Sequence, residues 1–182
     1  MPRIASVDPK NAAPPVRELF AIAQQALGAT PNFVRAMATA PAALQGFLQL
    51  FGALSGGKLD NATRERIALA MAEKNACEYC VSAHTALARG AGLDAADIAA
   101  ARQGGSTNPK ANIAVQFARA VLESKGDVSA TDFAAVKAAG YSDEEIVEIV
   151  LHVGMNTLLN TFGRFSQIDI DFPRVALLGR GA

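Results

Sequence analysis

The chain has 182 residues, 51% of them hydrophobic, with 17 basic side chains against 17 acidic ones. That much apolar material supports a core that needs no covalent staple. Zero formal net charge and the lack of any run of Lys and Arg argue against nucleic acid or an anionic membrane as the main partner, since both draw a clustered cationic patch. The opening MPRIASVDPKNAAPP carries charges and prolines where a secretory peptide has an apolar region, and no uninterrupted apolar run approaches membrane-spanning length. A cytoplasmic protein is expected, folded as one domain over residues 1–182.

Nearly every segment carries helical spacing and helical punctuation. Pro14 and Pro15 open a helix with apolar Val16, Leu19, Phe20, Ile22, Ala23 and Ala26, which stops at Gly28. Thr30-Pro31 starts a short helix through Met37, and Pro41 opens another to Leu54, before Ser55-Gly56-Gly57. Asp60 or Asn61 caps a helix over 62–74, ending at Asn75, a residue that tolerates the left-handed terminal conformation. A further helix runs from about Cys77 to near Gly90, and Asp94 and Asp97 mark a short one reaching Arg102. Asn108-Pro109 is a cap followed by proline at the first helical position, launching a helix to Lys125. Ser129 with Asp132, and Ser142 with Glu145, resemble capping boxes. The last helix is long and apolar, from Asp143 towards Arg164, and only Ile168 to Phe172 alternates like an extended piece. The fold class is all-α, with no βαβ pattern beside the CxxC and so no thioredoxin-like reading.

Chemistry concentrates at Asn75 to Gly90, which holds both cysteines, Cys77 and Cys80, with His84. Positions three and seven apart share a helical face, so all three are expected on one strip. The break at Asn75-Ala76 puts the cysteines in the first turn. There the unpaired N–H groups and the positive end of the dipole favour thiolate, lowering a thiol pKa of about 8.5. Glu65, on the preceding helix, is within reach of holding His84 and drawing a proton from Cys80, directly or through a water.

Plainer readings exist for each residue. Buried cysteines are often small hydrophobes, His84 alone is an ordinary helix histidine, Glu65 alone is a solvated charge among arginines, and Tyr79 packs. His152, in LHVGMN of the last helix, is read as structural, because nothing local completes a site. Zinc on Cys77, Cys80 and His84 would want a fourth ligand, and the chain has no third cysteine and no other histidine but the distant His152.

Together these residues form Glu65-x11-Cys77-x-x-Cys80-x3-His84, which resembles the signature of the AhpD-like alkylhydroperoxidases within the carboxymuconolactone decarboxylase superfamily. The stretches PNFVRAMATAPAALQGFLQLFGAL and NTFGRFSQIDIDFP are similar to flanks of its peroxidase-related branch. The resemblance implies an AhpD-like helical domain assembled into trimers or hexamers, reducing hydroperoxides. It implies Cys80 as the peroxidatic thiol, Cys77 as the resolving thiol, and Glu65 with His84 as the proton relay. Well-studied members carry histidine directly before the second cysteine, where this chain has Tyr79.

The expected activity is therefore a thiol-dependent peroxidase. The scheme requires no metal and no organic cofactor, and its partners are a peroxide substrate and an external dithiol reductant. Cys77, nearer the frayed helix start, is expected to be the sulfur more open to that dithiol. The alternatives are a redox-sensing or interaction module using the same pair, and a decarboxylase-type enzyme acting on a lactone or organic acid through Glu65 or His84. A homo-oligomer is also expected from the apolar surplus at Phe47, Leu48, Leu50, Phe51, Leu54 and the last helix.

Overall fold

The computed structural model of the chain describes residues 2–179; Met1 and residues 180–182, the two ends of the terminal stretches read above, lie outside the described residues. After one 3-10 turn at Pro9–Asn11, the described residues form nine α-helices and no strand. These are α1 (Pro14–Leu27), α2 (Asn32–Met37), α3 (Pro41–Ser55), α4 (Asn61–Lys74), α5 (Glu78–Gly90), α6 (Ala95–Arg102), α7 (Pro109–Ser124), α8 (Ala130–Ala138) and α9 (Asp143–Ser166). The all-α expectation is met, and the alternating piece at 168–172 is irregular chain rather than a strand.

Helix starts follow local chemistry. Side chains of Asp60, Asp94, Asn108 and Ser129 each accept a backbone N–H from the first turn of the helix they precede. Ser142 and Glu145 complete a reciprocal capping box at α9. Each such cap contributes about 1 kcal/mol.

α4 is the hub, packed against α5, α6, α7 and α9. Its residues 67–72 are buried without a break, so the helix has no solvent face along that stretch and no amphipathic stripe to read. Complete burial of Ile67, Leu69 and Met71 contributes about 1.5–3 kcal/mol each.

α9 is long and apolar enough to cross a membrane by length and composition, but half of that span is buried inside this fold. Its buried side includes Glu148, His152, Asn156 and Asn160, one per turn. A polar strip turned into the protein identifies it as a core helix. Glu148 accepts the N–H groups of Lys58 and Leu59, both at 2.8 Å, which pins the α3–α4 loop to α9. At Gly57 a Cβ would lie 2.5 Å from that carboxylate, so a side chain there would have to push Glu148 out of these bonds.

The opposite face of α9 leaves Val147, Val150, Leu151, Leu158 and Phe165 exposed. Among the residues of α3 read as surplus, Phe47, Leu48 and Leu54 are instead consumed by this chain's own core, and only Leu50 counts among the exposed large hydrophobics. An α3 face that packs on α1, α2 and α9 accounts for the difference.

Candidate active site

The cysteines are positioned by the joint between α4 and α5. Ala76 N–H donates to the Glu73 carbonyl at 3.0 Å and Cys77 N–H to the Ala72 carbonyl at 2.9 Å, the paired bonds of a Schellman ending. The left-handed residue is Ala76, with φ 53°, and not Asn75, whose φ is −84°. Holding alanine there costs about 1–2 kcal/mol. The joint is clamped to α9 in compensation: Asn75 Nδ2 donates to Asn160 Oδ1 at 2.9 Å, and Arg164 Nη1 to the Asn75 carbonyl at 3.1 Å. Cys77 thus terminates one helix and caps the next, its Sγ accepting the Cys80 N–H at 3.3 Å.

Cys77 and Cys80 are joined as a disulfide with Cα atoms 5.3 Å apart. Cys77 is 1% exposed and Cys80 6%, and Cys80 lines a cavity from whose walls Cys77 is absent. The expectation that Cys77 is the more open sulfur is therefore overturned. The turn at Ala76 directs Cys77 inward against α9, where a Cβ on Gly163 would come within 2.9 Å of Cys77 Sγ and 3.5 Å of Cys80 Sγ. Gly163 is a site residue that sequence reasoning missed; only its place in the flank NTFGRF pointed to it.

Glu65 on α4 and His84 on α5 meet across the helix pair, Oε2 to Nδ1 at 2.9 Å, with side chains 13% and 19% exposed. Both line the cavity with Cys80, so the structure brings three of the four sequence-chosen residues to one space. In this disulfide form the polar neighbour of Cys80 Sγ is the Leu159 carbonyl at 3.9 Å, and the imidazole's Nδ1 is engaged by Glu65. The remaining walls are largely apolar, with Phe33, Phe47, Phe51, Met155, Leu159 and Phe172, enclosing about 270 Å³.

His152 also lines this cavity. It is 5% exposed and its Nε2 has no hydrogen-bond partner among the described residues. Burial, then the Arg64 charge and that of His84, hold its pKa down at about 4 against the pull of Glu148 and Glu65, so the ring is neutral at neutral pH. Arg64 Nε is likewise unpartnered, while its Nη1 donates to the Leu54 carbonyl at 3.0 Å. Leaving such atoms bare costs about 1–3 kcal/mol each. The sequence offered no local signal for His152, because its neighbours in the cavity come from α4 and α5.

Tyr79 does more than pack. Its hydroxyl donates to Asp171 Oδ1 at 2.8 Å, and its ring meets Phe33 and Phe172 edge-on. Burial and then the Asp171 carboxylate push its pKa well above the usual phenol range. Asp171 also accepts the Asn32 N–H at 2.8 Å, and Ser82 Oγ accepts the Val175 N–H at 3.0 Å. The tail after α9 is therefore strapped across α2 and α5, with Phe172 closing one wall of the cavity.

This geometry is that of a helical domain with a cysteine pair at a helix start, a carboxylate–imidazole pair and an apolar chamber. Residues 41–123, which include both cysteines, Glu65 and His84, match the Carboxymuconolactone decarboxylase family. The resemblance read from the Glu65–His84 spacing is thereby borne out, and the fold is AhpD-like. A solved structure described as an alkylhydroperoxidase AhpD core, a peroxidase-related protein from Ralstonia eutropha JMP134, superposes with a TM-score of 0.82 at 23% identity, covering 94% of this chain and 92% of that one. A peroxidase-related protein from Silicibacter sp. TM1040 gives 0.76 at 22% identity, covering 92% of each chain. The debrominase Bmp8 gives 0.78 at 22% identity, covering 93% of this chain and 92% of that one. No curated protein matches the chain in sequence.

Proposed function

We propose that the protein is a thiol-dependent peroxidase reducing hydrogen peroxide or organic hydroperoxides through a Cys77–Cys80 dithiol/disulfide cycle. One observation carries the reading: of the two bonded sulfurs only Cys80 opens on the cavity, and the same cavity carries the Glu65–His84 pair at 2.9 Å. In the reduced protein Cys80 yields its proton to His84, directly or through one water, and Glu65 holds the imidazole and balances its charge. The Cys80 thiolate attacks the outer peroxide oxygen and the O–O bond breaks. The departing oxygen takes a proton from His84 and leaves as alcohol or water. Cys80 is then a sulfenic acid; Cys77 attacks its sulfur, water departs and the disulfide closes.

An external dithiol returns two electrons and two protons. Burial of Cys77 supports attack at Cys80, with Cys77 as the leaving thiolate, and the Cys80 N–H already directed at Cys77 Sγ stabilises that charge. The inward-facing cysteine is thus the resolving sulfur of the oxidative half-cycle and the leaving sulfur of the reductive one. The unpartnered face of α9 with Leu50 supports a homo-trimer or homo-hexamer, which sedimentation at micromolar concentration tests; a monomer there removes that part of the reading.

A steady-state assay with hydrogen peroxide and cumene hydroperoxide, each against several dithiols, is the test. Many turnovers per chain are expected. One equivalent consumed without turnover would indicate a redox sensor, and activity surviving replacement of both cysteines would indicate lactone or organic-acid chemistry on Glu65 or His84. The aromatic walls and the likeness to a debrominase favour a second reading, in which the same dithiol replaces an aromatic halogen by hydrogen, releasing hydrogen halide as the disulfide forms. Halide release from a brominated aromatic under the same dithiols distinguishes it.

A further inference from the structure

The cavity over Cys80 contains two polar groups that the peroxide chemistry does not use. Arg64 is half-buried at its wall and forms no ion pair among the described residues; one nitrogen serves the Leu54 carbonyl and Nε serves nothing. His152 is sealed in the same wall, with Nε2 equally bare. Arg64 and His152 both line this one cavity. The one acidic residue among those lining the cavity, Glu65, is held by His84 at 2.9 Å. A guanidinium without a carboxylate partner and a neutral imidazole, in a chamber whose walls are largely aromatic and aliphatic, are the complement of an apolar molecule with a single anionic end.

We propose that this cavity binds an apolar molecule carrying one carboxylate, with Arg64 and His152 gripping the carboxylate and the aromatic walls taking the body. On the peroxidase reading, on which this identification of substrate class rests, the preferred substrate is an organic hydroperoxide bearing an acid group. Hydrogen peroxide would leave both the apolar walls and Arg64 unused. Size agrees: a chamber of about 270 Å³ stands at the small end of ligand pockets, which begin at about 300 Å³, and suits a short-chain acid.

Octanoate is a probe of that size with no reactive group. Titration calorimetry on the disulfide form should find octanoate binding at least about tenfold tighter than 1-octanol, the same chain without the charge. Arg64→Gln should remove about tenfold of octanoate affinity while leaving octanol unchanged, and Arg64→Lys should recover part of the loss. His152→Leu should weaken octanoate by a smaller factor. Equal binding of octanoate and octanol by the wild-type protein overturns the proposal without recourse to any variant. So does octanoate affinity that Arg64→Gln leaves intact, which would reduce Arg64 to a cap on the end of α3. Binding to the disulfide form requires no turnover. Intact octanoate selectivity without peroxidase activity would sink the reaction and not the site, and brisk peroxide turnover without that selectivity would sink the site and not the reaction.

Discussion

Replacing Gly163 by alanine sets a methyl group against the disulfide. The added Cβ would lie 2.9 Å from Cys77 Sγ and 3.5 Å from Cys80 Sγ, well inside ordinary carbon–sulfur contact at the first sulfur, so α5 and α9 must part or the cysteines must turn. Overpacking of this kind costs about 1–3 kcal/mol. Once the bond is reduced, each sulfur rotates independently and most of the penalty is relieved. Alanine's better helix propensity, worth about 0.5–1 kcal/mol, acts on both redox forms and cancels from their difference. The disulfide alone is destabilised, which raises the reduction potential by about 20–60 mV at 30 mV per 1.4 kcal/mol. Equilibration in dithiothreitol redox buffers, with alkylation of free thiols and mass analysis, reads the shift. Gly154, on the same helix with nothing within 4 Å of its would-be Cβ, is the control: Gly154→Ala should leave the potential alone. A Gly163→Ala protein that folds normally with an unshifted potential would refute the argument that this glycine makes room for the disulfide.

Stability should fall in two stages as pH drops. His152, held down at about 4 against an unfolded value of 6.5, binds its proton only in the unfolded chain between those values, so stability falls as pH drops through that window, by up to about 3 kcal/mol. Asp97 is next: burial works to raise its pKa, but the Arg66 hydrogen bond, the Thr107 N–H, the Ser106 hydroxyl and the Arg66 charge outweigh it and hold the value at about 2 against 3.8. Its contribution, about 2 kcal/mol, is present above 3.8 and lost towards 2. Denaturant titrations across pH should show His152→Leu flattening the first stage only; an unchanged first stage contradicts the buried neutral imidazole. Glu65→Gln and His84→Ala should leave the fold intact and slow peroxide oxidation of Cys80 on the order of 100-fold near neutrality. The deficit should shrink as pH approaches the ordinary thiol range, and a pH-independent deficit would assign the pair to positioning the peroxide instead. In the Cys77→Ser protein, once one equivalent of peroxide has oxidised Cys80 to the sulfenic acid, an added thiol should condense with it to a mixed disulfide on Cys80 with loss of water; failure of the thiol to reach Cys80 would undo the reset step.

What the sequence disclosed was what local chemistry decides. Asp60, Asn108 and Ser142 announce helix starts because a cap needs only the next three residues, and Cys77, Cys80 and Glu65 with His84 are legible because the spacing lies within two adjacent helices. The left-handed position at Ala76 was hidden because asparagine is the better intrinsic candidate, and the clamp from Asn160 and Arg164 overrides intrinsic preference. Gly163, His152 and the Asp171 strap on Tyr79 were hidden for one shared reason. Each acts on α4 or α5 from the C-terminal part of the chain, a relation set by packing and not by any local pattern. The inward turn of Cys77 belongs to the same class, since helix position alone makes a first-turn cysteine look open.

The central claim is that Cys80 meets the peroxide and Cys77 resolves it, and sulfenic acid trapping tests it most directly. In Cys77→Ser, dimedone with peroxide should label Cys80 at close to the wild-type initial rate of oxidation, and in Cys80→Ser the buried Cys77 should label slowly. Fast labelling of Cys77 with a sluggish Cys80 would reverse the roles and remove the Glu65–His84–Cys80 relay with them.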